Sequence, residues 1–255
     1  MKRAKRKDAM EPIFKDTVTV TAIYTDRWGR LKPSALLYFC QEIAGGHCNL
    51  LGCNWDTLAK RNMFWALIRT NVEINHLPIL GQTIHLETWP MPTTRTAYPR
   101  ATVAYDAAGN VLFRCTSLWV LMDTQTRSMV LPGKSGVELD WILRGTEAPA
   151  PSSIHPMEPA NISNRQVRFS ELDRNGHMNN THYIQWAFDL LPGSFHEDHP
   201  CKNFSICYLT EAKEGQDIRI NWSLDGDGML HAEGTRQKPD VPDKWERVFA
   251  LRAGF

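Results

Sequence analysis

Asp173-Arg174-Asn175-Gly176-His177-Met178-Asn179-Asn180 has a shorter twin earlier in the chain, Asp26-Arg27-Trp28-Gly29-Arg30-Leu31, and this pair decides the fold. Asp, Arg, Gly and an apolar residue recur at the same spacing, at an offset of 173 − 26 = 147. The match continues downstream: Gly81-Gln82-x-Ile84 returns as Gly215-Gln216-x-Ile218 at 215 − 81 = 134, with Val72 on Ile206. The Gly109 turn meets Gly228 at 228 − 109 = 119. The offset shrinks because the first half carries longer insertions. One order of elements in both halves marks an internal duplication.

Each copy of the motif sits between a strand and a helix. In the first half, Val, Thr and Ile predict a strand over 14–24, and Pro33 opens a helix whose stripe Ala35, Leu36, Phe39, Cys40, Ile43 stops at Gly45-Gly46. A short helix over 55–61 follows the N-cap Asn54, then strands over 64–75, 84–89, 97–105 and 111–122. In the second half the pattern predicts a strand over 165–169, a helix over 179–191 before Pro192-Gly193, and strands over 204–209, 217–224, 229–235 and 246–252. Pro149, Pro151, Pro156 and Pro159 make 145–164 an extended connecting segment between units 13–144 and 165–255. One unit is thus a helix against a curved antiparallel sheet of about five strands. Two units can pair edge to edge and cover each other's open strands.

Composition sets the outer bounds. A hydrophobic fraction of 42%, with nine Trp and ten Phe, supplies a full core. The net charge of +1 gives no field that would draw the chain as a whole to nucleic acid or an anionic membrane. Lys2, Arg3, Lys5, Arg6 and Lys7 have no apolar run behind them, so 1–12 reads as a disordered basic tail and not a secretory signal. No apolar run is long enough to span a bilayer. Cysteines at 40, 48, 53, 115, 201 and 207 form no C-x-x-C pair and read as reduced thiols in a cytoplasmic protein. His47, Cys48 and Cys53 fit no usual zinc spacing, and neither a metal nor a cofactor is expected.

The two halves differ where chemistry would be done. Asn175 stands where the first half has Trp28, His177 where it has Arg30, and Glu211 where it has Leu77. A corner that needed only a cap would not place Asn, His and Glu together in one copy alone, so one reactive corner is expected, in the second half. Asp173, in a turn before a helix, reads as support for that corner, and Asn179 and Asn180 read as capping residues. Glu211 shares strand parity with Cys207 and Leu209 and is expected on the apolar side of its strand.

From about Phe14 to Arg252 the chain resembles the acyl-[acyl-carrier-protein] thioesterases of plant plastids and many bacteria. The resemblance rests on Asp173 to Asn180 with Tyr183-Ile184 behind it, on the Trp65 strand, on Gly81-Gln82 with Glu87-Thr88-Trp89, and on Ser117 to Met122. It implies an α+β double hot-dog, two tandem units of a curved antiparallel sheet wrapped around a long helix, with the first unit shaping the acyl-chain cavity. The lack of a plastid transit segment points to a bacterial member or a trimmed chain. By the same resemblance Asn175, His177 and Glu211 form the hydrolytic centre, with Asp173 as a supporting carboxylate. The family's acid is often followed by a Cys; Ala212 stands there, which excludes a thiol mechanism at that position.

The implied reaction is hydrolysis of acyl-[acyl-carrier protein], with Glu211 as general base on water or as a direct nucleophile. His177 would protonate the departing thiolate or orient the water, and Asn175 would hold the water or the carbonyl. Backbone N–H groups at the helix start would stabilise the oxyanion. The partner is the carrier protein with its phosphopantetheine-linked chain, met by Arg165, Arg168 and Arg174, a patch that Glu171 and Asp173 dilute. The protein would act as monomer or homodimer. An acyl-CoA thioesterase is the nearest rival, a hot-dog dehydratase would place His and acid differently, and a noncatalytic acyl-binding module would have no use for Glu211.

Overall fold

The computed structural model describes residues 12–156, 158, 160–238 and 241–255. The basic cluster expected to form a tail lies outside these. The first half contains β1 (Phe14–Thr19), α1 (Pro33–Leu50), α2 (Trp55–Ala59), β2 (Met63–Ile74), β3 (Thr83–Pro90), β4 (Tyr98–Tyr105), β5 (Val111–Asp123), β6 (Met129–Val130) and α3 (Pro132–Ser135). The second contains β7 (Asn161–Gln166), α4 (Asn180–Phe188), α5 (Gly193–Asp198), β8 (Asn203–Tyr208), β9 (Asp217–Leu224), β10 (Met229–Lys238) and β11 (Val241–Gly254).

The strands form one antiparallel sheet in the order β1-β3-β4-β5-β2-β8-β11-β10-β9-β7, with β6 on β5. The halves meet at β2 and β8, where Arg69 faces Cys207, Asn71 faces Ser205 and Glu73 faces Asn203. Each of 203 − 69, 205 − 71 and 207 − 73 is 134, the offset of the repeat, so the seam is related to itself by a pseudo-twofold through Asn71 and Ser205. Helices α1 and α4 pack on one face of this sheet and touch each other. Leu36 and Ile43 of α1, Ile184 and Trp186 of α4, Val72 and Ile206 share a single buried core. This is the double hot-dog that the resemblance implies.

The duplication extends to individual hydrogen bonds. Gly29 and Gly176 take φ of +77° and +75°, where a side chain would be strained, and close the same turn onto Asp26 O and Asp173 O, each at 3.0 Å. Leu31 N–H donates to Pro78 O at 2.7 Å and Met178 N–H to Ala212 O at 2.8 Å. The offsets 178 − 31 = 147 and 212 − 78 = 134 reproduce the sequence alignment on both sides of the bond. Gly109 and Gly228 likewise close turns onto Asp106 and Asp225.

Several boundaries move. Strand β1 gives way after Thr19 to a 3-10 turn at Ala22–Tyr24, and the second half has the same turn at Phe169–Glu171 where strand was expected. Strand β7 therefore lies earlier, starting inside the expected connecting segment. Helix α1 runs through Gly45-Gly46 to Leu50. Its counterpart α4 is only nine residues and ends at Phe188, well short of Leu191, so the long helix belongs to the first half alone. Among its described residues the connecting segment has no helix or strand before Asn161, and it is pinned across the sheet. Thr116 Oγ1 donates to Ala148 O at 2.6 Å, Asn71 Nδ2 to Pro149 O at 3.1 Å and Arg247 Nη2 to Ile154 O at 2.9 Å.

Candidate active site

The turn from the 3-10 segment into α4 is held by Asp173. Its Oδ1 accepts the N–H groups of Asn175 at 2.8 Å and His177 at 3.2 Å. Asp26 does the same for Trp28 and Arg30, each at 2.9 Å. Because both copies make these bonds, they belong to the frame of the fold; what differs is the side chains mounted on it, Asn175 and His177 against Trp28 and Arg30. Asn179 caps α4 by accepting from Thr181 N–H at 3.0 Å, as expected, whereas Asn180 is the first helical residue, whose N–H has no intrahelical acceptor.

We predict that Asp26→Ala and Asp173→Ala each lose about 1–2 kcal/mol of stability, the former the more because it also frees Arg30, as read from denaturant midpoints. Only Asp173→Ala is expected to lose activity as well. Equal activity in the two variants would mean that the second corner is no more reactive than the first.

His177 and Glu211 come together: His177 Nε2 lies 3.3 Å from Glu211 Oε2. The parity expectation for Glu211 fails. Strand β8 ends at Tyr208, so Glu211 stands in the loop beyond it with its side chain 41% exposed, and its carboxylate is paired with Arg127 instead of buried among apolar groups. Arg127 comes from the β5–β6 turn of the first half and stacks its guanidinium over Phe64, 4.9 Å from the ring centroid. Arg236 fixes the loop from below, donating to Glu211 O at 2.8 Å.

The Asn175 amide is only loosely held. Its Nδ2 reaches Asp173 Oδ2 at 3.4 Å, and its Oδ1 accepts from Trp55 Nε1 at 3.4 Å. Trp55 carries Arg174 above its ring, 3.7 Å from the centroid. All four residues expected at the site line one cavity of about 400 Å³, together with Asn180, Trp65 and Arg127. The first half therefore supplies part of the wall, through residues that the second-half motif gave no means of finding.

The expected arginine patch is dispersed: Arg174 stays at this corner, while Arg165 pairs with Asp189 at 3.4 Å beside a different hollow. That hollow, of about 500 Å³, is the counterpart of the site and is lined by Asp26, Trp28, Arg30 and Leu77. Arg30 bonds Asp26 Oδ2 at 2.9 Å and the α5 carbonyls of His196 at 2.7 Å and Glu197 at 3.2 Å. Where His177 meets the carboxylate of Glu211, Arg30 fastens a helix.

Family models of the acyl-ACP thioesterase N-terminal and C-terminal domains match residues 11–131 and 154–239. The chain belongs to the acyl-ACP thioesterase family. Among its relatives, the chloroplastic dodecanoyl-[acyl-carrier-protein] hydrolase of Umbellularia californica is 26% identical over 86% of this chain and 66% of its own length. An oleoyl-acyl carrier protein thioesterase of Arabidopsis thaliana is 26% identical over 68% of this chain and 53% of its own. The chain thus spans between about half and two thirds of the curated relatives it matches. A crystal structure of an acyl-ACP thioesterase from Bacteroides thetaiotaomicron superposes with a TM-score of 0.83 at 22% identity, covering 96% of this chain and 98% of that one. The 12:0-ACP thioesterase of Umbellularia californica gives 0.80 at 23% identity, and both establish the shared fold.

Proposed function

We propose that this chain hydrolyses the thioester of acyl-[acyl-carrier protein] and releases free fatty acid. The observation that carries the reading is the asymmetry of two otherwise superposable corners: one brings His177, Glu211 and Asn175 into a shared cavity, and the other is occupied by Arg30, Leu77 and Trp28.

Glu211 takes a proton from water as the water oxygen bonds to the thioester carbon. The negative charge on the carbonyl oxygen is met by Asn180 N–H at the positive end of α4, a donor worth roughly 3 kcal/mol in comparable sites. The C–S bond then breaks, and His177, which shares the Glu211 carboxylate, passes the proton that Glu211 took from water on to the pantetheine thiolate. Asn175, held by two long hydrogen bonds, can turn its amide to the substrate at little cost. Asp173 keeps the Asn175 and His177 backbones in place. Ala212, next to the acid, offers no thiol.

Exposed Arg174, stacked over Trp55 beside this corner, suits an acidic carrier protein. Among the described residues no helix is long and apolar enough to cross a membrane, and all six cysteines are unpaired, which goes with a reducing, cytoplasmic setting. Purified protein is expected to release fatty acid from acyl-carrier protein with higher kcat/KM than from the matching acyl-CoA, across a graded series of chain lengths. Equal rates would remove the carrier preference; no release from either would overturn the reaction.

A further inference from the structure

A second cavity, of about 510 Å³, adjoins the catalytic corner through two tryptophans: Trp65 lines both, and Trp55 lines this one while bonding Asn175. It lies between α1 and the sheet of the first half, where an acyl chain leaving the thioester would run. A saturated hydrocarbon asks of its site only apolar surface. This cavity is lined in part by Arg100, which is 5% exposed.

Arg100 Nη1 donates to His47 Nδ1 at 3.0 Å and to Thr88 Oγ1 at 3.2 Å, and both acceptors are neutral. Burial, and then Arg100 itself, hold His47 down at about 4, so its ring cannot be a second cation nor supply a counter-charge. No carboxylate among the described residues forms an ion pair with Arg100. The Cys48 thiol hydrogen-bonds the guanidinium and is lowered to about 7 by a hydrogen bond with Cys53 and by Arg100, while Glu42 lines the same cavity without an ion pair to Arg100. A buried guanidinium so placed has no carboxylate bonded to it as counter-ion.

A second, independent deficit points the same way. Gln41 lines this cavity from α1, and its Nε2 is buried with no hydrogen-bond partner. Four residues on, along the same helix face, Gly45 leaves room, since a Cβ there would meet nothing within 4 Å. A buried cation with no carboxylate bonded to it and a buried amide N–H with no acceptor, on opposite walls of one hollow, are what a polar ligand would satisfy.

We propose that this cavity takes acyl chains bearing an acceptor oxygen away from the thioester, a hydroxyl or a carboxylate that receives hydrogen bonds from Arg100 and Gln41. This deepens the thioesterase reading and rests on it for the word acyl. The test compares three chains of equal length: unsubstituted, distally hydroxylated and distally carboxylated. Each is offered as the free fatty acid in calorimetric binding and as the carrier-protein thioester in turnover.

Wild-type protein is expected to favour at least one oxygenated chain by at least about tenfold in both measurements, and the arm that wins names the group. Arg100→Met should abolish that preference, read as the ratio of oxygenated to unsubstituted chain in both measurements. Gln41→Leu should weaken the preference in the same direction, and it carries the test if Arg100→Met does not fold. A wild-type preference for the unsubstituted chain, or an oxygen preference that neither variant changes, would overturn the inference. Binding of oxygenated acids without hydrolysis of any thioester would sustain it while overturning the reaction.

Discussion

Glu211→Ala is expected to lower kcat for thioester hydrolysis by roughly two to four orders of magnitude, the usual worth of a positioned general base, and to leave the fold intact. Its side chain is 41% exposed in a loop beyond β8, so truncation opens no cavity in the core. Its partners are Arg127, itself 43% exposed, and His177. Glu211→Gln sharpens the reading, since glutamine keeps the shape and can still bond to Arg127 and His177 but cannot take a proton. If the residue only positions its neighbours, Gln should restore most of the rate; if it is the base or the nucleophile, Gln should be as slow as Ala. Direct attack through an anhydride is separated by single turnover in heavy-oxygen water, which would label the Glu211 carboxylate only on that route. Release of fatty acid at the wild-type rate by Glu211→Ala would end the proposed mechanism.

Much of the fold was legible because duplication writes the frame twice. Asp, Gly and the apolar residue of the motif recur because each fixes a backbone bond that both corners make. What was not legible depends on tertiary contact. Gly45-Gly46 reads locally as a helix stop, yet two glycines cost a helix only about 1 kcal/mol each. Packing against the sheet outweighs that, and Gly46 is where the Phe14 ring comes so close that a Cβ would stand 3.0 Å from it. Strand β7, Asn-Ile-Ser-Asn-Arg-Gln, is a polar edge strand without alternating apolar residues; only its pairing with β9 makes it a strand.

The site divides along the same line. Asn175 and His177 could be singled out because the twin motif shows what the frame needs without them. Glu211 was found by the same subtraction, although its surroundings were misjudged: parity holds only while a strand lasts, and β8 stops three residues earlier. Arg127 and Trp55 were beyond reach of any local pattern, standing 84 and 120 residues from the groups they touch. They arrive because the two sheets join at β2 and β8, which brings the far end of the first half against the second-half corner.

His177→Ala should reduce kcat by roughly two to three orders of magnitude with KM little changed. The imidazole is only 13% exposed and meets Glu211 through Nε2, so it faces the reacting groups and not the substrate's distal chain. Its backbone N–H, which holds the turn through Asp173 Oδ1, is retained by alanine, and a normal melting curve should accompany the lost turnover. The double variant His177→Ala/Glu211→Ala decides whether the two act together. Groups that move one proton between them lose their effect as a unit, so the double variant should be scarcely slower than Glu211→Ala alone. Losses that multiply would mean independent contributions, with His177 acting on the leaving group without Glu211. An unchanged rate in the single variant would return His177 to the frame, as a half-buried ring with no more chemistry than Arg30 has in the twin corner.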